Sequence, residues 1–200
     1  MHREPSRMKR VARAGGLLLA LGLSGCMNDL GRDGTADVFI RIIDINGGAP
    51  YFSFVGDPLE GTLGPDIAPV TVVARSKNPA QTAEHYPRAL LLDRYEIRYY
   101  RSDGRNVEGV DVPFRISGDM ATTVEIAEAG ETITIEMEIV RSQAKLEPPL
   151  RNLRDGGGNM VLTVFAEVTI YARTIASNDV TKAVARMQIN FSGDLTQLPR

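Results

Sequence analysis

The chain has 200 residues, 43% of them hydrophobic, with 23 Lys and Arg against 25 Asp and Glu, a formal net charge of −2, one cysteine and no tryptophan. A lone cysteine excludes an internal disulfide framework, and two histidines are too few for a multi-histidine zinc centre. The slightly acidic balance argues against nucleic acid as a partner, which rewards clustered Lys and Arg.

Arg3, Arg7, Lys9, Arg10 and Arg13 precede the apolar run Gly15-Gly16-Leu17-Leu18-Leu19-Ala20-Leu21-Gly22-Leu23, which ends in Ser24-Gly25-Cys26. A spanning helix needs about 20 apolar residues, whereas a signal-peptide core needs roughly 7 to 15, so this run reads as an export signal. Leu23-Ser24-Gly25-Cys26 resembles the lipobox of bacterial lipoproteins, and the resemblance covers residues 1 to 26. It implies cleavage before Cys26, a diacylglyceryl group on its thiol and a further acyl chain on its amine. Two or more chains give stable anchoring where one gives marginal binding, so the membrane is the first expected partner. The plain alternative is an ordinary signal peptide followed by a coincidental cysteine. Met8-Lys9-Arg10 onward already makes a complete signal, leaving Met1 and Met8 both open as the start. The basic residues include no twin arginine, which favours the general secretory route. Met27, rather than an aspartate, follows the cysteine, and by the same resemblance this favours the outer membrane over the inner one.

Residues 1–25 are therefore expected to be removed, residues 26–36 to form the lipidated cysteine and a flexible tether, residues 37–193 to form one β-sandwich domain, and residues 194–200 a tail. The signal holds five basic residues and one acidic, which leaves 18 basic against 24 acidic and a net charge of −6 on the mature part.

Beyond the tether the hydrophobic pattern has period two. Val110, Val112, Phe114 and Ile116 alternate with Asp111, Pro113, Arg115 and Ser117, and Ile133, Ile135, Met137 and Ile139 alternate with Thr132, Thr134, Glu136 and Glu138. Less regular runs occupy Asp37 to Ile45, Tyr51 to Val55, Val70 to Arg75, Asp93 to Arg101, Thr122 to Ala127, Met160 to Thr174 and Ala183 to Ser192. Turn chemistry lies between them at Asn46-Gly47-Gly48, Ser102-Asp103-Gly104-Arg105-Asn106, Gly118-Asp119 and Ala129-Gly130. Nine short runs punctuated in this way predict an all-β, antiparallel, immunoglobulin-like sandwich of about seven to nine strands. Leu146, Leu150 and Leu153 have helical spacing behind Pro148-Pro149, predicting a short crossover between the sheets. The closing pair, Val161 to Thr174 and Ala183 to Phe191 around Ala176-Ser177-Asn178, resembles the last hairpin of bacterial immunoglobulin-like domains, with Ser177 where those repeats often carry glycine. That resemblance implies a fold and transfers no activity.

Few residues carry chemistry. His85 is the only histidine after the signal, so no Ser-His-Asp triad is indicated, and Gly156-Gly157-Gly158-Asn159 precedes a strand rather than the helix a phosphate cradle requires. Glu136 and Glu138 share a strand face about 7 Å apart, a glycosidase-like spacing, yet most simply form a wet face offset by cross-strand Arg98 or Arg186. Asp44-Ile45-Asn46 and Asn178-Asp179 at strand ends offer oxygen ligands for calcium, and equally are what turns select. Of Tyr51, Phe52, Phe54, Tyr95, Tyr99 and Tyr100 most are expected in the core, with one of the adjacent Tyr99 and Tyr100 facing outward.

Two long connections suit partner binding: the acidic 56–69 stretch with Asp57, Glu60 and Asp66, and the 147–159 stretch with Arg151 and Arg154. The reading is a lipid-anchored, non-catalytic envelope module, binding or structural, with an envelope protein as the possible partner and no cofactor. The alternative is a calcium- or carbohydrate-binding lipoprotein.

Overall fold

Alternating apolar residues, too closely spaced for a helix stripe, fold here into strands that bury every second side chain. The computed structural model describes residues 36–56, 63–77, 89–126, 132–155 and 160–194. Among these residues the strands are β1 (Val38–Ile45), β2 (Tyr51–Phe54), β3 (Asp66–Ser76), β4 (Ala89–Tyr100), β5 (Ile116–Glu125), β6 (Thr132–Val140), β7 (Val161–Thr174) and β8 (Val180–Ser192). A 3-10 turn at Gln143–Leu146 and a short helix, α1 (Leu150–Asp155), join β6 to β7.

The strands form two sheets, one ordered β1-β3-β6 and one ordered β2-β8-β7-β4-β5. This is the expected all-β sandwich, with eight strands among the described residues. It is not wholly antiparallel, because β2 runs parallel to β8. The chain leaves β1 at the edge of the small sheet, turns through Asn46 and Gly47, both with φ near 60° (55° and 62°), and crosses to the large sheet beside β8. Asp44 Oδ1 accepts the Gly47 N–H at 3.0 Å and Asn46 Nδ2 donates to the Ala49 carbonyl at 3.1 Å, so these side chains hold the corner.

The core lies between the sheets. Val38, Ile40 and Ile42 of β1 and Val70 and Val72 of β3 face Leu90, Leu92 and Ile97 of β4, Val164, Val168 and Ile170 of β7, and Ile189 and Phe191 of β8, all buried. Each such side chain withdrawn from water contributes roughly 1.5–3 kcal/mol. Tyr99 joins this core, and its hydroxyl donates to the Ile139 carbonyl at 2.7 Å, linking β4 of one sheet to β6 of the other. Burial pushes that hydroxyl far above the ordinary tyrosine range, so it remains a donor.

Several sequence boundaries move. The run Val110–Ile116 is not a strand before Ile116, which opens β5: Val112 and Ile116 are buried, but Val110 and Phe114 are exposed, and up to Arg115 only an isolated Glu108–Val112 bridge forms. The Val107 carbonyl accepts the N–H groups of Val110, Asp111 and Val112, Gly109 has φ of 74°, and Pro113 has no N–H to give, so the chain coils instead of extending. Gly118-Asp119 is no turn; it lies within β5, where Gly118 sits opposite Tyr95. A Cβ on Gly118 would come within 2.4 Å of the Tyr95 ring, so the glycine serves a close approach of side chain to backbone. β3 also starts earlier than the sequence indicates, at Asp66, which removes Asp66 from the acidic loop. Of the six aromatic residues considered from the sequence only Tyr99 is fully buried; Tyr51, Phe54, Tyr95 and Tyr100 are half-buried and Phe52 is exposed.

Candidate binding groove on the large sheet

The outer face of the large sheet is built in cross-strand rows. Tyr100 of β4 pairs with Phe165 of β7, which pairs with Gln188 of β8. The next row is Arg98, Glu167 and Arg186. Because Val164, Ala166 and Val168 point into the core, period two forces Phe165 and Glu167 outward, and Phe165 stays 38% exposed.

Beyond Tyr100 the chain turns back on itself. The Arg101 N–H donates to Asn106 Oδ1 at 2.7 Å, the Gly104 N–H donates to the Arg101 carbonyl at 3.3 Å, and Gly104 takes φ of 80°. Arg101 also donates from Nε and Nη2 to Asp103, at 3.0 and 2.6 Å. These bonds return Asn106 to the strand end. The result is an open groove of about 580 Å³ lined by Tyr100, Arg101, Asn106, Phe165, Arg186 and Gln188.

Charge around the groove is paired off. Arg186 reaches Glu167 through Nε at 2.8 Å and Nη2 at 2.6 Å, and Arg98 reaches Glu96 at 2.7 Å. The hydrogen bond from Arg98 holds the Glu96 carboxyl below its ordinary range, with the charges of Arg98 and Arg115 adding to it. Asp103 is held low in the same way, first by Arg101 and then by Arg105. Two rows further, the Arg94 guanidinium lies 4.0 Å above the Tyr171 ring. Left over in the groove are two aromatic surfaces and unspent amide groups. Gln188 donates Nε2 to Asn190 and Asn106 accepts from Arg101, while Gln188 Oε1 and Asn106 Nδ2 make no hydrogen bond among the described residues.

A second polar group is buried. Asp66 Oδ1 accepts from Lys145 Nζ at 2.7 Å, and Asp66 Oδ2 accepts from the Ser53 hydroxyl. All three are buried, with Ser53 at 0% exposure, so the Ser53 hydroxyl is shut off from solvent. The group ties β2, β3 and the crossover together.

The residues singled out from the sequence are scattered by comparison. Cys26, His85, Asp57, Glu60 and the 156–159 glycine tract lie outside the described residues. The crossover does join the two sheets as expected, with Leu150 and Leu153 buried, while Leu146 is 48% exposed. Arg151 is exposed on α1 and Arg154 pairs with its neighbour Asp155 at 3.0 Å; neither lines the groove. Glu136 and Glu138 lie on β6, opposite Pro69 and Ile67 of the small sheet. Arg98 and Arg186 belong to the large sheet and pair with Glu96 and Glu167, so the expected cross-strand offset is not made.

The calcium reading needed Asp44-Ile45-Asn46 and Asn178-Asp179 in adjacent loops. Ala36, just before β1, donates to the Val180 carbonyl, whereas Asp44 and Asn46 close the far end of the same strand, so β1 holds the two groups at opposite ends of the sandwich. Asn178 has φ of 58° and its Oδ1 accepts from Arg173, as turn chemistry requires. Among the described residues no three His, Cys, Asp or Glu side chains group to hold a metal. Of the adjacent tyrosines, Tyr99 is buried and half-buried Tyr100 faces outward, and Phe165 beside it went unmarked although the alternation of Met160 to Thr174 carried the signal.

No family model matches the chain, and no curated protein or solved structure matches it either. No helix among the described residues is long and apolar enough to cross a membrane.

Proposed function

We propose that this chain is a lipid-anchored, non-catalytic binding module of the cell envelope, fixed to a membrane through Cys26 and presenting the groove of Tyr100 and Phe165 to a ligand. The observation that carries the binding reading is that groove: apolar rings and unspent amides on a sheet whose central strands cannot shift without breaking the core. The lipobox supports the anchor, and the missing aspartate after Cys26 supports the outer membrane. The closing hairpin, together with a chain that passes from β1 in the small sheet directly to β2 in the large one, supports an immunoglobulin-like grouping. Exposed Arg151 offers a second contact surface for an envelope protein.

Two experiments test this. Cells fed labelled palmitate should incorporate it into the wild-type chain and not into Cys26→Ser; equal labelling, or none in either, would remove the anchor. Photo-cross-linking in intact cells from Gln188 and, separately, from Arg151 should give a specific adduct at one of the two positions. Background from both would leave a scaffold rather than a binding module.

A further inference from the structure

We infer that the groove takes a neutral oligosaccharide, an assignment that rests on the binding-module reading and narrows its ligand. Three observations choose among ligand classes. First, both guanidinium groups at the groove are already engaged by carboxylates, Arg101 by Asp103 and Arg186 by Glu167, so the site has no excess positive charge with which to select an anion. Second, Tyr100 is paired with Phe165 and Phe165 with Gln188, so the floor of the groove is closed ladder and an extended peptide has no place to add as a strand between β4, β7 and β8. Third, the surface that remains is amphipathic: two aromatic rings on strands about 5 Å apart, bordered by an amide donor on Asn106 and an amide acceptor on Gln188.

A pyranose has that same duality. Its C–H face packs against an aromatic ring, and its equatorial hydroxyls both donate and accept hydrogen bonds at the rim. The groove volume, about 580 Å³, falls within the roughly 300–1,000 Å³ of small-ligand sites, and its open sides allow a chain of sugars to continue past it. Arg186 Nη1, which has no partner among the described residues, adds a further donor for a hydroxyl.

The test is a titration of the purified full chain with chitohexaose and cellohexaose, read by calorimetry and by the amide resonances of Tyr100, Asn106, Phe165 and Gln188. Binding of at least one hexasaccharide is expected, with shifts centred on these four residues. Tyr100→Ala and Phe165→Ala should each weaken it roughly tenfold, while Tyr100→Phe should keep most of it. Tyr171→Ala, on the same face but outside the groove, should leave affinity unchanged, and an unaltered melting midpoint in each variant shows that the fold is intact. Should either aromatic truncation perturb that midpoint, Gln188→Ala supplies the same readout.

Affinity untouched by both aromatic substitutions would overturn the assignment. So would a response confined to an anionic hexasaccharide or to a peptide mixture, which would nevertheless keep the binding module. Silence toward every probe, with cross-linking from the groove also at background, would remove both readings of this face.

Discussion

Lys145 Nζ lies 2.7 Å from Asp66 Oδ1 across 79 residues of chain, and both side chains are withdrawn from water. One partner opens β3 and the other sits in the crossover, so the pair fixes where the chain passes from the small sheet to the large one. Lys145→Met would leave a buried carboxylate with only Ser53 to bond, and a destabilisation of about 3–5 kcal/mol is expected in urea unfolding. The double variant Lys145→Met, Asp66→Leu should recover much of that loss. Additive losses from the two sites would show that the pair is not coupled.

Tyr99→Phe removes a single oxygen. It leaves the Ile139 carbonyl without its donor from the facing sheet, and a loss of about 1–2 kcal/mol should appear in the same unfolding experiment. An unchanged midpoint would mean that another group satisfies the carbonyl.

Gly118→Ala places a methyl where the Tyr95 ring now lies, 2.4 Å from the nearest ring carbon. Moving the ring or the edge strand should cost about 1–3 kcal/mol. Combining it with Tyr95→Leu should return part of the loss, because the obstacle has then been removed; a cost unaffected by residue 95 would place the strain in the backbone.

Acid stability follows from the carboxylates beside the groove. Glu96 has its folded pKa lowered by the Arg98 hydrogen bond, so its contribution is complete above the unfolded value near 4.5 and is lost as the pH falls through the lower folded value. Melting temperatures should therefore fall as the pH drops below about 4.5, the unfolded pKa. Glu96→Gln should flatten that fall, and a variant with the same slope as wild type would assign the acid sensitivity elsewhere.

Substitutions on α1 should separate packing from surface. Leu150→Ala deletes a fully buried side chain and should cost about 2–5 kcal/mol, whereas Arg151→Glu, one residue on and exposed, should stay within about 0.5 kcal/mol. A large effect at Arg151 would reveal a structural role for it.

The strands of the core were readable because their message is local. The pattern of Met160 to Thr174 needs no partner to announce which side is apolar, and the long β7 follows it closely. The stretch from Val110 to Ile116 alternates just as cleanly yet coils, because Gly109, Pro113 and the Val107 carbonyl together offer a tighter hydrogen-bonding arrangement than an unpaired strand. Gly118 misled for a related reason. A glycine signals freedom of backbone, and the sequence cannot say whether a turn or an approaching ring uses it.

The groove was half legible. Tyr100 stood out beside Tyr99, but Phe165 is 65 positions away in the sequence and only strand register brings it alongside. Asp66 was read as a loop residue and Lys145 was not singled out, since nothing local distinguishes a charged side chain that will meet its counter-ion in the interior.

By itself the sequence determined the all-β class, the apolar face of a long strand such as β7 and the expectation of a lipid anchor, because periodicity and a contiguous signal are written along the chain. The tertiary structure alone decided which strand neighbours which, where β2 turns parallel to β8, which charges cancel, and which two aromatic rings share a face. Those depend on register between distant segments, and register is set by the packing of the whole sandwich.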